Sequence, residues 1–470
     1  MRVFGWRTRL GRLMRAADSR AAFGLLIASM VSRALGYLRE LLMAAYFATS
    51  VATDAWLMAS IVPNLLIQAL SNALDNVLIP MLVRIREADG PEAVTAFSAD
   101  LLGWLTVMGL VASLVLVIAM PLVIRLLAPG FHGHEYRLAI LLARIMMPVF
   151  LFWLWRAVGL GMLQAAGSYV ATGWSQVAQN IGRILLIVLL APTLGIRAAA
   201  IGFAVGTASQ LFVLVPELRR ARLLAWPTLG PFRTAVAAFF RKAWTAIISS
   251  MANTGGLVVD RILASTLATG NIAALNFASI LVQVPVTLVL QAAITPLFTR
   301  LSTHQARGEQ EAWGRLVRRL LIGTIIMMGL IAVGLSLFAH PIIALAYRRG
   351  AFEKHSTVLT ARLVPFFAMG LPGSALNMIG RKAAYSSGDV LTPARWAIVV
   401  VVLNIVADLI LIRPLGARGL ALGTSFAISV AAAGITWPLW RGQARPPFAV
   451  EEVKEVKEVK EAEPAEPFPE

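Results

Sequence analysis

Two sets of residues in this 470-residue chain have types and spacings that could do chemistry. The first is cationic. Arg33 and Arg39 interrupt the apolar stretch SRALGYLRELLMAAYF (32–47), and Arg261 interrupts VVDRILAST (258–266). Arg39 and Arg261 each stand shortly before an Ala-Thr pair, and Arg144, Arg156, Arg183 and Arg381 are further cations within apolar runs. Guanidinium groups take phosphate bidentately and bind it strongly where water is scarce. An anion-binding wall is one arrangement these residues permit, and an internal ion pair of Arg39 with a neighbouring carboxylate is another. The second set carries oxygen. Asn404 and Asp408 are i, i+4 on an otherwise apolar segment, Thr424 follows on the next, and Asp260 precedes Arg261. Hard oxygen donors suit a small cation, although an Asn–Asp–Thr hydrogen-bonded cluster would use the same residues.

Polar stripes accompany both sets. Asn64, Gln68, Ser71, Asn72 and Asp75 fall on one helical face, as do Asn276, Ser279, Gln283, Thr287 and Gln291. Gln176, Gln179, Asn180 and Arg183 form a third stripe. A single buried amide is ordinarily satisfied by a neighbouring helix. Whole stripes with charges point to a water-filled cavity, because an ionisable group facing hydrocarbon costs about 3 kcal/mol even on the lenient scale. The five histidines show no ligand spacing and receive no role.

The elements that position these residues are membrane helices. The chain is 58% hydrophobic and only 14% charged, with a mean hydropathy of +0.76. Soluble domains carry about 25% charged residues. Cysteine is absent, which excludes disulfides and thiolate metal sites. The net charge of +18 would suggest nucleic acid in a soluble protein. Here the positive-inside rule accounts for it, and no nucleic-acid partner is expected.

Apolar runs long enough to cross a bilayer lie near 21–48, 55–83, 96–128, 138–165, 170–192, 197–218, 236–267, 272–299, 316–346, 357–385, 394–412 and 417–440. The basic loops around Arg84, Arg219–Arg222, Arg241 and Arg315–Arg319 outweigh those holding Arg137, Arg197, Arg348, Arg349, Lys354, Arg413 and Arg418. Both termini are therefore expected in the cytoplasm. The chain also repeats itself. LGIRAAAIG (194–202) matches LGARGLALG (415–423), and Pro80–Arg84 matches Pro296–Arg300. The expected fold is all-α integral membrane: twelve transmembrane helices in two six-helix bundles, related by a parallel repeat around a central cavity. The expected divisions are a basic interfacial N-terminus (1–20), a first bundle (21–220), a cytoplasmic linker (221–235), a second bundle (236–441) and a charged disordered tail (442–470).

The stretch SRALGYLRELLMAAYFATSVATDAWLMASIVPNLL (32–66) resembles the first two helices of MurJ (MviN-type) lipid II flippases. This family belongs to the multidrug/oligosaccharidyl-lipid/polysaccharide exporter superfamily. VVDRILASTLATGNIAALNFA (258–278), YRRGAFEKHST (347–357) and the segment 386–425 resemble it too, so the likeness runs from about residue 20 to 440. The resemblance implies a flippase of the bacterial cytoplasmic membrane carrying an undecaprenyl-diphosphate-linked saccharide. It also implies that Arg33, Arg39 and Asp54 match positions important for flipping, and that sodium couples transport through Asp260, Asn404, Asp408 and Thr424. The expected substrate contacts are Arg33, Arg39, Asp54, Gln68, Asn72, Asp75, Arg144, Arg183, Arg261 and Gln283.

Departures from the family pattern shape a finer expectation. Where the family usually has an arginine pair and Ala-Glu-Gly, this chain has Ile67-Gln68 and Ser71-Asn72-Ala73. The usual Ala-Asp-Arg is Ala278-Ser279-Ile280, and twelve spans are expected here where the family commonly has two more. An anionic lipid-linked glycan carried by fewer arginines, with weaker preference for lipid II, is expected. A drug/cation antiporter of the same superfamily is the alternative, but its cavity should be anionic. A membrane glycosyltransferase would need a large acidic outer loop, so no enzyme is expected. The transporter is expected to act as a monomer among membrane lipids.

Overall fold

The computed structural model describes residues 4–230, 234–287, 300, 301, 303, 304, 307, 309–386, 389 and 391–441. For 4–22, 72, 73, 234, 235 and 245–257 it gives the backbone only. The described chain is all helix and turn. α1 (Phe4–Phe47) is followed by α2 (Val51–Ala59), α3 (Ile61–Ala73), a π-helical turn (Leu74–Leu78) and α4 (Ile79–Leu127). α5 (Gly133–Met146), α6 (Pro148–Ala165), α7 (Val170–Leu194) and α8 (Arg197–Arg220) come next. Then follow α9 (Thr234–Ala264), α10 (Asn271–Pro285), α11 (Gln310–Leu337), α12 (Ala339–Tyr347) and α13 (Lys354–Ala361). α14 (Val364–Ala368), α15 (Leu371–Ser386), α16 (Leu391–Leu415) and α17 (Ala417–Trp440) complete the chain.

Among the described residues, seven helical stretches are long and apolar enough to cross a membrane. An eighth is formed if the pair 354–368 and 371–386, bent by 46°, is one span. Leu, Val, Ile and Phe cover much of the outside of these helices, as lipid requires: Phe212 is 81% and Leu345 79% exposed. Several spans read as single runs are broken in the structure, and each break has a cause. The run 55–83 turns at Ser60 and again at the π-helical turn. The run 138–165 breaks at Met147, before Pro148, and 357–385 bends where Pro372 and Gly373 follow Gly370. Between the second and third runs, Gly90 (φ 82°) and Pro91 interrupt α4. At the N-terminus, residues expected as a lead-in continue the helix from Phe4, and 44 residues reach about 66 Å, twice a bilayer core.

The chain groups into two compact units. One comprises 1–277 with 343–359, and the other 278–342 with 360–470. In the first, α7 packs on α8 and α1 on α7, and an apolar core runs through Leu78, Leu82, Leu101, Val158 and Leu214. The segment after α8 docks on α4. Thr228 donates its N–H to Ala99 O at 3.0 Å and its hydroxyl to Asp100 Oδ1 at 2.9 Å, and Trp104 Nε1 donates to Gly230 O at 3.3 Å. In the second unit, α17 packs on α16 and α15. The two matching sequence segments adopt one backbone turn. Gly195, after α7, has φ 57°, ψ −140°; Gly416, after α16, has φ 58°, ψ −131°. Only glycine adopts this region without strain.

Candidate functional site

Three of the cations lie near the Glu40 carboxylate. Arg39 Nη2 and Glu40 Oε1 are 2.6 Å apart, although side chains at i, i+1 of a helix ordinarily diverge. Arg39 Nη1 donates to Asn180 Oδ1 of α7 at 3.5 Å. Asn180 Nδ2 in turn donates to the carbonyl and hydroxyl of Ser32 at 3.0 and 3.1 Å. One turn along α7, Arg183 lies 4.2 Å above the Phe203 ring of α8. A Cβ at Gly206 would come within 2.5 Å of Arg183 Cγ, so the glycine makes room for the guanidinium stem. Arg261 of α9 donates from Nη1 to Leu57 O at 2.7 Å. The Glu40 carboxylate lies within Coulombic reach of both Arg183 and Arg261.

Three guanidinium groups from three helices therefore stand against two acids, Glu40 paired to Arg39 and Asp260 beside Arg261, and the set is net cationic. Arg39 Nε and Arg183 Nε are buried without a hydrogen-bond partner. Buried donors in native proteins are nearly always satisfied, so the open pair is chemistry that an entering anion can complete. Asn180 was legible as part of a polar stripe, but its bridging of α1 to α7 had no sequence signal.

A second polar surface lies on α3 and the π-helical turn. Asn64, Gln68, Asp75 and Asn76 are exposed along it, while Ser71 donates its hydroxyl to Ile67 O at 2.8 Å. Asp75 lies within Coulombic reach of Arg156 on α6, whose Nε is buried and lacks a partner. Exposed polar side chains on a helix of this apolar chain fit contact with water better than with lipid. The side chain of Asn72 is outside the described residues. Arg33 is exposed, without an ion-pair or hydrogen-bond partner among the described residues, and Gln283 is exposed on α10. Arg144, also exposed, donates from Nε to Val117 O at 3.0 Å, which ties α5 to α4.

Asp54, expected as a substrate contact, is held by backbone amides. It is 1% exposed, and both carboxylate oxygens accept backbone N–H groups, from Gly270 at 2.5 Å and Ala273 at 2.7 Å. These amides open α10 and have no partner within it. The anionic side chain caps that helix and complements its dipole.

The oxygen set is brought together in part. Asn404 Nδ2 donates to Asp408 Oδ2 at 3.3 Å, with both residues buried on α16. The carboxylate lies directly against Gly423 of α17, where a Cβ would collide with Oδ1. Thr424, next along, donates its hydroxyl to Leu420 O at 3.0 Å and keeps its lone pairs available. Asp260 lies in the other compact unit, in Coulombic reach of Arg261.

A family model described as lipid II flippase MurJ matches residues 43–453. The chain belongs to the MurJ family. The matched residues include Asp54, Arg183, Arg261 and the Asn404–Asp408 pair, and begin after Arg33 and Arg39. Lipid II flippase MurJ of Burkholderia cenocepacia is 27% identical over 410 residues, covering 84% of this chain and 78% of that protein. Probable lipid II flippase MurJ of Rhizobium tropici is 27% identical over 409 residues, covering 85% and 76%. Among solved structures, a lipid II flippase MurJ in an inward closed conformation superposes with a TM-score of 0.75 at 21% identity, covering 94% and 93%. An inward-facing multidrug resistance MATE family transporter of the MOP superfamily gives 0.72 at 16% identity, covering 90% and 98%. These likenesses are of fold, and they place this MurJ family member on an all-helical transporter scaffold.

Proposed function

We propose that this chain flips an undecaprenyl-diphosphate-linked saccharide, lipid II or a related lipid-linked glycan, across the bacterial cytoplasmic membrane by alternating access. The observation that carries the reading is a net cationic set within the helices, Arg39, Arg183 and Arg261 against Glu40 and Asp260, with two buried Nε donors open. A diphosphate offers oxygens to several guanidinium groups at once and is strongly bound where water is scarce. Glu40 is the acid that such a substrate displaces from Arg39, so an empty site keeps its cations partly neutralised.

The finer architecture follows in the same reading. Twelve spans form bundles over 21–220 and 236–441, related by a parallel repeat around a central cavity, with both termini cytoplasmic and one chain as the transporting unit. The matching turns at Gly195 and Gly416 support the repeat. The donor chemistry of Asp408 and Asn404, with the Thr424 hydroxyl on the facing helix, fits sodium as coupling ion. Asp260 is proposed as a further acid serving the same ion. Arg33, Gln68, Asp75, Arg144 and Gln283 are proposed as outlying contacts along the substrate path.

Depletion of the resident lipid II flippase tests the proposal. Expression of this chain should restore growth and cell shape, and Arg39→Ala should abolish the rescue while inserting normally. Continued lysis with the wild-type chain present in the membrane would refute it. Resistance to a cationic drug conferred equally by wild type and Arg39→Ala would favour the antiporter.

A further inference from the structure

The loop between α12 and α13 is built as a pocket, and nothing in the transport reading uses it. Tight turns shape it: Arg349 donates its N–H to Tyr347 O at 2.7 Å, Phe352 to Arg349 O at 3.1 Å, and Glu353 to Ala351 O at 3.0 Å. One lining residue, Phe352, belongs to a buried aromatic cluster. Phe352 and Tyr347 are each 1% exposed and stack with Phe277 at centroid distances of 5.3 to 5.6 Å. Its edge is fixed to the end of α1, where Ala351 donates its N–H to Ala45 O at 2.7 Å and Thr49 donates its hydroxyl to Ser356 Oγ, also at 2.7 Å. Gly350, at φ 56°, passes so close to Ala45 O that any Cβ would collide. A loop fastened at this many points is not a slack connector.

What the loop holds up is positive. Arg348, Arg349, Gly350, Phe352, Glu353 and Lys354 line a cavity of about 420 Å³. Three cations face a single acid there, and all four charged side chains are exposed. Neither Arg348 nor Lys354 has an ion-pair partner among the described residues, and Arg349 makes only a long contact, Nη2 to Leu345 O at 3.4 Å. On the orientation proposed above, this loop is extracytoplasmic, where the positive-inside bias would disfavour such a cluster. Exposed Leu345 beside it would face the acyl chains.

We propose that Arg348, Arg349 and Lys354 form a binding pocket for a lipid-borne phosphate at the outer membrane surface. The inference rests on the flippase orientation for the side of the membrane, and on the cavity for the chemistry. Two adjacent guanidinium forks and an ammonium match phosphate or diphosphate oxygens, and the cavity is at the small end of ligand sites. It accommodates a diphosphate with part of a sugar, and the remainder of the lipid stays in the bilayer. The phosphate belongs either to the arriving glycolipid, held as it leaves the transporter, or to an anionic phospholipid headgroup.

Hydrogen exchange on the full chain in nanodiscs reads the pocket locally. Inorganic pyrophosphate should protect amides 349–354 in the wild type, and Arg348→Ala/Arg349→Ala should raise the concentration needed at least tenfold. Arg348→Lys/Arg349→Lys should raise it about threefold. Should the alanine pair fail to fold, Lys354→Glu on the exposed rim must produce a comparable loss. Nanodiscs of phosphatidylglycerol against phosphatidylcholine, together with the depletion rescue, separate the sources. Impaired rescue with unchanged phosphatidylglycerol retention assigns the pocket to the substrate. Reduced retention with full rescue assigns it to the headgroup. Equal protection in wild type and alanine variants, or none with either probe, overturns the proposal. Protection that persists although the wild type never rescues depleted cells would refute the flippase reading and leave the pocket standing.

Discussion

Asp54 caps α10 from 216 residues away: its Oδ2 accepts the Gly270 N–H at 2.5 Å, and its Oδ1 accepts the Ala273 N–H at 2.7 Å. This arrangement separates two explanations for a deleterious mutation at Asp54. Asp54→Ala leaves two buried amides without acceptors and should cost about 3 kcal/mol. Asp54→Asn keeps one acceptor and should cost about half of that. Thermal unfolding in detergent should follow this order. A variant with wild-type stability but no transport would instead return Asp54 to the substrate path.

Glu40 has the opposite character, because it restrains cations rather than amides. Glu40→Gln removes the acid paired with Arg39 and leaves Arg39 and Arg183 to repel each other, and breaking such a pair costs about 3 kcal/mol. The loss should shrink at high salt as the exposed parts are screened. Arg39→Ala relieves repulsion and should unfold closer to the wild type while abolishing transport. Melting curves of the two variants at low and high salt, alongside rescue assays, check both expectations.

Asp408 is fully buried and touches Asn404. Asp408→Asn preserves shape but removes the charge that a sodium ion requires, so transport should stop while insertion continues. Asp260→Asn should do the same if both acids serve the ion. Sodium at ten times its dissociation constant should stabilise the wild type by about 1.4 kcal/mol and the Asp408→Asn variant not at all. Equal transport by wild type and variants without sodium would exclude the ion site.

Asp75, exposed on the π-helical turn, is a charge of the wrong sign for a diphosphate, and Arg156 is the cation that offsets it. Asp75→Asn should spare or raise transport. Arg156→Gln should lower it several-fold, and the double variant should fall between the two. Binding of lipid II compared with a family member that keeps the arginine pair measures the preference. Equal affinity would contradict the weaker preference expected from Ile67-Gln68.

Much of the helical scaffold was legible because lipid imposes one rule on every span: satisfy the backbone internally and face outward with hydrocarbon. Gly90-Pro91, Gly195 and Gly416 mark ends in the sequence for the same reason they mark them in space. The site was legible in residue type and less so in pairing. Arg39 and Glu40 are adjacent, and helical geometry predicts divergence. Their pairing was one of the two arrangements open in the sequence, whereas the further contact of Arg39 Nη1 with Asn180 of α7 was not. The Asp54 cap was unreadable because its partners are backbone amides of residues 270 and 273, which have no side-chain signature. The π-helical turn at Leu74–Leu78, which has no signature in residue type, holds Asp75 beside Arg156 of α6, a partner the stripe with Asn64 and Gln68 did not reveal.

The twin turns at Gly195 and Gly416 impose a constraint that outlasts side chains. Their backbone angles admit glycine alone, whereas the apolar residues beside them interchange freely in lipid. A complete substitution scan should therefore show two narrow columns of intolerance, one in each half, at matching places between tolerant flanks. Drift can erase the likeness of LGIRAAAIG to LGARGLALG elsewhere in the lineage. The paired columns are the outcome expected of the proposed repeat, since what such a repeat would keep is a bend and not a word.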